Sequence, residues 1–430
     1  MYSRQRAFFI VLILFPPFLG TAHRPLPPPS PALIRPVPAH PFPQHVSYHN
    51  GTILPDSISR EALDDSVRSF YRQWKQRYVR TGCRDNEKYV WFEGSRSTNQ
   101  NVSEGQGYGM LIVALMAGYD PDAKNTYDDL FRYYKSHPCR TSPYLMSWQQ
   151  DKNCRSTDGS SATDGDLDIA YSLLLADAQW GSRDAIPYRQ EALNMIMAIR
   201  QQEINPILYS ILLSNDGNSR SKDYNDTRSS DFMPDHLRAF REASGDPSWD
   251  SVLDNTYMLF QYLQDTYSPE AGLVPDFIRK IRKSPGGKMQ AVPAQPHYLE
   301  SSYDGAYNFN ACRVPWRIAT DYLLYGDQRS AAFLGRINRW IRETTKDNPD
   351  NISAGYNLAG EDMRQRNYEA LCFIAPFAVA AMTGKENQPW LNAVWSYLVR
   401  FPMHGFDYYD NSIKMIDMII LSGNYWAPGA

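Results

Sequence analysis

At 430 residues and a net charge of −3, the chain has room for one large domain or two to three ordinary ones. It carries no basic excess with which to neutralise phosphates, which excludes a general nucleic-acid binder. Its 29 Tyr and 10 Trp suit either stacking on sugar faces or a large aromatic core.

The N-terminus reads as a secretory signal over residues 1–22. Arg4 and Arg6 form a basic start, 7–19 is an apolar run broken by Pro16 and Pro17, and Gly20-Thr21-Ala22 supplies small residues for cleavage. The run is shorter than the ~20 residues a spanning helix needs, so the mature protein is expected to be extracellular with no membrane partner. Residues 23–46 are proline-rich and are expected to form an extended, disordered linker. From 47 to 430 no further low-complexity break appears, and the chain reads as a single domain and a monomer.

Helix-period stretches then recur, separated by loops rich in Gly, Pro, Asn, Asp and Ser. The spans are 57–79, 104–118, 122–137, 166–180, 185–201, 231–243, 249–264, 313–325, 329–345, 368–383, 390–400 and 408–421. They are of two kinds. In 329–345, Phe333, Ile337, Trp340 and Ile341 make one apolar stripe, as on a surface helix, whereas 105–118, 167–180 and 370–382 are apolar nearly all round. Enclosed and surface helices in one chain imply an inner ring wrapped by an outer one. Strand signals are sparse, and 206–213 is the best candidate for a hairpin arm. Among five cysteines, Cys139 and Cys154 are the first expected disulfide, Cys372 reads as a buried free thiol, and Cys83 and Cys312 stay unassigned. Asn50, Asn225 and Asn351 head glycosylation sequons. Asn101 heads a fourth, expected to be bare because a glycan there would crowd Glu104.

Two acidic segments open apolar helices: Ser103-Glu104-Gly105-Gln106-Gly107-Tyr108-Gly109-Met110 and Ala162-Thr163-Asp164-Gly165-Asp166-Leu167-Asp168-Ile169-Ala170. Acidic residues suit helix starts anyway, because free N–H groups and the macrodipole favour negative charge there. Against mere capping at Glu104, three glycines weaken the very helix a cap would serve, by up to ~1 kcal/mol each, and they allow a chain or a flat ligand to come close. A general acid needs a raised pKa, so burial beside Tyr108 or Trp91, or repulsion from Asp164, must outweigh the helix terminus. The Asp164–Asp168 knot fails as a calcium loop, since its sixth position is Ile169 and its twelfth Leu175. Histidines are scattered with no ligand spacing, and no Gly-x-Ser-x-Gly elbow, phosphate loop or dinucleotide fingerprint occurs. No metal or cofactor is expected. Carboxylates and aromatics remain, the means of glycosidic bond cleavage.

The two acidic segments resemble the acid motif and the signature of glycoside hydrolase family 8. Leu145-Met146-Ser147-Trp148-Gln149, Ser230-Asp231-Phe232-Met233-Pro234 and Ala311-Cys312-Arg313-Val314-Pro315-Trp316-Arg317 are similar to its other blocks, in the family's order. The resemblance implies an all-α (α/α)6 barrel with six inner and six outer helices and an open substrate cleft at one end. It implies inverting, endo-acting hydrolysis of a β-1,4-linked polysaccharide, such as chitosan or a β-1,3-1,4/β-1,4-glucan. Carried over by motif, Glu104 is the general acid and Asp164 binds and distorts the sugar with support from Asp166. Tyr108 and Trp148 stack or position, and Arg313 and Arg317 hold the acidic centre. Many members carry Asp just before the Ala-x-Arg block, where this chain has Asn310, and an amide cannot take a proton from water. A branch containing chitosanases and lichenases draws its base from the preceding loop. That makes Glu300 the candidate base and Asp304 the reserve. Asp231, with Asp151, Glu361 and Asp362, could pair a polycationic substrate. The rival reading, a catalytically inactive carbohydrate-binding protein of the same fold, rests on Asn310.

Overall fold

The structure is a computed structural model that describes residues 37–93, 99–217, 219–363, 370–403, 405 and 407–429. The expected signal segment and residues 23–36 lie outside the described residues. Twelve α-helices are described: α1 (Arg60–Tyr78), α2 (Ser103–Leu115), α3 (Ala123–Ser136), α4 (Thr163–Trp180), α5 (Tyr188–Gln202), α6 (Pro234–Ser244), α7 (Ser248–Tyr267), α8 (Val314–Tyr325), α9 (Gln328–Thr345), α10 (Leu371–Ala381), α11 (Gln388–Arg400) and α12 (Tyr408–Leu421). The even-numbered helices contact one another in sequence and α12 closes the ring on α2, while each odd-numbered helix packs outside an even-numbered neighbour. This is an (α/α)6 barrel. Helices α2, α4, α10 and α12 are buried along nearly their whole length, whereas α9 buries one stripe, as the two kinds of apolar pattern require.

Glycines set how closely the ring closes. A Cβ on Gly107 would stand 2.7 Å from Cβ of Asp168, and one on Gly165 would stand 2.5 Å from Oγ of Ser103. The glycines of the acid motif therefore admit neighbouring segments of the chain, Tyr408 at Gly105, Asp168 at Gly107 and Val90 at Gly109, rather than a flat ligand. Gly107 and Gly165 bring the heads of α2 and α4 into contact.

Because inner and outer helices alternate in direction, the six inner helices run parallel and their N-termini share one rim. Their C-termini share the other, and the N-terminal segment seals it. N–H groups of Ala39, Phe42, Val46, His49 and Ile53 donate in turn to carbonyls of Gln179, Ala117, Gly423, Leu323 and Met382, at 2.6–2.9 Å. Each acceptor lies at the end of a different inner helix, where carbonyls have no partner within the helix. Over residues 37–46, the described part of the proline-rich stretch, the chain is thus not a disordered linker. Phe42 is buried and the backbone is spent on helix ends.

The sheet content also corrects the sequence reading. Residues 206–213 form no hairpin arm, since Oδ1 of Asn205 accepts from the N–H groups of Ile207 and Leu208 and a single bridge joins Ile204 to Ile211. The turn consumes the backbone groups that a ladder would need. Seven short strands are described: β1 (Val79–Thr81), β2 (Lys88–Val90), β3 (Asn99–Val102), β4 (Gln149–Asp151), β5 (Thr227–Arg228), β6 (Phe277–Lys283) and β7 (Met289–Pro293). They pair as β1–β2, β3–β4 and β5–β6–β7.

The disulfide joins Cys83 to Cys154, and Cys139 is a buried free thiol. Proximity in sequence misled here. Cys139 is drawn inward, where its sulfur accepts from Nδ2 of Asn215, while the turn bearing Cys154 swings out to Cys83. Cys372 and Cys312 are free and buried. Asn50, Asn225 and Asn351 are exposed, whereas Asn101 is buried and donates to the carbonyl of Val90.

Candidate active site

The shared rim of inner-helix N-termini concentrates positive potential, and a cluster of charged side chains fills it. Arg313, just ahead of α8, is the hub. Its Nη1 donates to Oε2 of Glu104 at 2.8 Å, to Oδ2 of Asp164 at 2.9 Å and to the hydroxyl of Tyr108 at 3.2 Å. Its Nη2 donates to Oγ of Ser230 and to Oδ1 of Asn310, both at 2.8 Å. Asn310 in turn donates from Nδ2 to Oε2 of Glu300 at 2.8 Å. Arg228, on β5, places Nη1 3.7 Å from Asp164 and 4.0 Å from Glu300, and its Nε 3.3 Å from Asp231. Two cations thus tie together four carboxylates drawn from separate parts of the chain.

The carboxylates differ in environment. Burial raises the pKa of Glu104; Arg313 opposes that and Asp164 adds to it, and a hydrogen bond from Tyr408 at 2.6 Å opposes it again. The balance leaves Glu104 above its ordinary value. Burial works against ionisation of Asp164 too, but Arg228 and Arg313 outweigh it and bring its pKa down to about 2. Two neighbouring acids pushed in opposite directions match a division between proton donor and fixed charge. Asp231 is wholly buried, and desolvation lifts its pKa to about 7 against Arg228. The Glu104 side chain retains 16% of its exposure and Glu300 48%, so both are open to a ligand from solvent.

A family model described as "Glycosyl hydrolases family 8" matches residues 62–423. The chain belongs to glycoside hydrolase family 8. It is 43% identical over 390 residues to a beta-glucanase of Niallia circulans, covering 90% of this chain and 92% of that one. It is 37% identical over 401 residues to an endoglucanase of Bacillus sp. (strain KSM-330), covering 90% and 82%. Among solved structures, the apo beta-1,3-1,4-glucanase from Paenibacillus sp. X4 superposes with a TM-score of 0.85 at 41% identity, covering 91% of this chain and all of that one. Rex8A from Paenibacillus barcinonensis shares the fold, with a TM-score of 0.71 at 19% identity, covering 88% and 98%. The chain is a glycoside hydrolase.

In this family-8 hydrolase, several residues marked from sequence lie outside the cluster or act within it differently. Asp304 is buried, and its carboxylate accepts from the N–H groups of Leu299, Glu300 and Ser301 at 2.7–3.1 Å. With both oxygens occupied, it shapes the loop that presents Glu300 and is not free to act as base or to touch sugar. Asp166 faces away from the rim. It accepts from N–H of Met146 and lies beside Glu203, and burial raises both carboxyls, Glu203 to about 7. Arg317 sits one turn below, paired with both oxygens of Asp168 at 2.8 and 2.5 Å, with His236 on the same Asp168 oxygen as the first. Tyr108 is fully buried against Trp316, so it positions Arg313 and offers no stacking face. Trp148 is half-buried, and its carbonyl accepts from N–H of Ser103, which sets it beside the head of α2. Asp151 is turned to its own loop, accepting from N–H of Asn153 and Arg155, and Glu361 accepts from Asn357.

Four site residues escaped the sequence reading. Arg228 stands in an ordinary polar stretch, and Ser230, although it opens a block similar to the family's, had no role assigned from sequence. Tyr408 opens a helix three hundred residues from the carboxyl it touches. Asp276 caps the turn ahead of α8, accepting from N–H of Asn308 at 2.9 Å and of Ala311 at 2.7 Å. Only the Arg228-Ser229-Ser230-Asp231 order, a cation three residues before an acid, hinted at a pair.

Proposed function

We propose that the chain is a secreted, endo-acting β-glucanase that inverts the anomeric centre, with Glu104 as general acid and Glu300 as general base. The observation that carries this reading is the bridge Glu104–Arg313–Asn310–Glu300, which holds two partly exposed carboxyls on a common frame beside Asp164. Glu104, with its pKa raised by burial and by Asp164, keeps a proton for the leaving oxygen. Glu300 takes a proton from a water on the opposite face of the sugar, the arrangement for which inverting enzymes separate their carboxyls by ~6.5–9.5 Å. Asp164, ionised at every working pH, stabilises the positive charge that develops on the ring and orients the sugar there. Asn310 is a holder of the base and does not replace it.

A neutral β-1,3-1,4- or β-1,4-glucan is favoured over chitosan. Relatives at 43% and 41% identity bear the names beta-glucanase and beta-1,3-1,4-glucanase. Of the acids that could have paired a polycation, Asp231 is wholly buried, Asp151 is turned to its own loop and Glu361 accepts from Asn357.

Reducing-sugar release from lichenan, carboxymethylcellulose and chitosan tests the reading, with Glu104→Gln as control. Lichenan is expected to lose viscosity early, as endo-cleavage requires, and NMR of the first products is expected to show the α-anomer. Release from chitosan alone, or a β-anomer, would overturn it. Recovery from culture medium with an N-terminus after Ala22 tests secretion.

A further inference from the structure

We propose that the β6–β7 hairpin is a docking surface for anionic polysaccharide, adjoining the cleft and separate from it. Between Phe277 and Pro293 the hairpin carries Arg279, Lys280, Arg282, Lys283 and Lys288 and no acidic residue, in a chain whose net charge is −3. Lys280, Arg282, Lys283 and Lys288 are exposed. Among the described residues none of these four makes an ion pair. Arg279 is the exception, held by Asp226 at 2.8 Å and lying over the ring of Tyr298 at 4.1 Å.

The backbone is built to present this charge. A bulge interrupts the register between Arg279 and Arg282, and Lys280 occupies its left-handed position at φ 56°. The extra residue lets Ile278 and Ile281, which strict alternation would put on opposite faces, both be buried. The cations between and beyond them fall outward. Asp226, facing the bulge, fixes it by accepting from N–H of Lys280 at 2.8 Å, and its other oxygen is spent on Arg279 and Tyr298. Asp226 is thus spent on the bulge itself and on Arg279, and makes no ion pair with the four exposed cations.

Position identifies the partner. Phe277 pairs with Arg228 of the catalytic cluster, and at ~3.3 Å per residue Lys283 lies about 20 Å out along β6. That exceeds the ~8 Å screening length of physiological salt, so the patch does not tune the catalytic carboxylates. It lies within a few sugar units of a chain in the cleft. The neutral glucan lies in the cleft, and an acidic, carboxylate-bearing polysaccharide of the matrix around it meets this surface. The choice of a polysaccharide rests on the hydrolase reading above.

Binding to immobilised polygalacturonate, which has no bond for a β-glucanase to cut, isolates the patch from catalysis. The probe variant combines Lys280→Gln, Arg282→Gln, Lys283→Gln and Lys288→Gln, and lichenan turnover reports catalysis independently. The wild type is expected to bind at low salt and release at high salt. The variant is expected to bind about tenfold more weakly while hydrolysing lichenan at the wild-type rate. Equal binding by the variant, or tighter wild-type binding to phosphatidylserine vesicles than to polygalacturonate, would overturn the proposal. Failure of the wild type to hydrolyse lichenan would instead overturn the β-glucanase reading and leave the binding result to stand.

Discussion

Asn310 donates from Nδ2 to Glu300 and accepts at Oδ1 from Arg313, each at 2.8 Å. A neutral amide, unable to serve as a base, thereby couples the exposed loop carboxylate to the buried arginine that also holds Glu104. Glu104→Gln and Glu300→Gln are each expected to lower kcat on lichenan by about 10²–10⁴-fold with little change in Tm. Asn310→Asp replaces a donor with a like charge facing Glu300 and is expected to lower activity rather than supply a second base. Full activity in Glu300→Gln would remove that residue from the mechanism.

Tyr408 offers a test of which group sets the alkaline limb. Its hydroxyl stabilises the ionised form of Glu104, so Tyr408→Phe is expected to raise the pKa of that carboxyl further. The general acid works protonated, and activity is lost as pH rises through its pKa. The alkaline limb of the kcat/KM profile is therefore expected to move upward in Tyr408→Phe. A downward shift would contradict the assignment of Glu104 as acid.

Buried carboxyls make stability depend on pH in a definite direction. Asp231, Asp276 and Glu203 are lifted to about 7, chiefly by burial. A raised carboxyl keeps its proton in the fold after the unfolded chain has released it, so its stabilising contribution fades as pH climbs from about 4 through 7. Asp164, held at about 2, acts oppositely and withdraws stability only below about pH 4. Tm is expected to be several degrees higher near pH 5 than near pH 8. Glu203→Gln gives Asp166 a permanent donor and is expected to flatten part of that slope; an unchanged slope would exclude the pair as its source.

The Cys83–Cys154 bridge spans 71 residues. Loop-closure entropy assigns such a link about 4 kcal/mol, and it ties the turn after β4 to the end of β1. Cys83→Ser with Cys154→Ser is expected to lower Tm markedly and to render the wild type's response to reductant absent. Cys139→Ser is expected to leave that response intact, which distinguishes the observed pairing from one with Cys139.

Helix by helix, the chain is legible because burial leaves a periodic record. The apolar runs of α2, α4 and α10 and the single stripe of α9 each state how many sides face other helices, and all twelve helices fall within a few residues of their apolar spans. The β6–β7 hairpin was missed because Phe277-Ile278-Arg279-Lys280-Ile281 pairs apolar with apolar and charged with charged instead of alternating. Its bulge breaks the period that would have revealed it. At the rim, Glu104, Asp164 and Arg313 were legible from local motifs, whereas the functions of Asp166, Asp304 and Arg317 were not. Type and spacing do not say whether a carboxylate faces solvent or a ring of N–H groups.

What the chain determined by itself is its set of local preferences: twelve helices, two layers, acids at the heads of enclosed helices and glycines where those heads must touch. Only the closed barrel decided the partners. Arg228, Arg313, Tyr408 and Glu300 come from separate segments, and their meeting depends on parallel inner helices sharing one rim. The same closure lets residues 39–53 donate to helix ends at the opposite rim. Such contacts couple residues hundreds of positions apart, and no local pattern records them, because their energy appears only when the ring is complete.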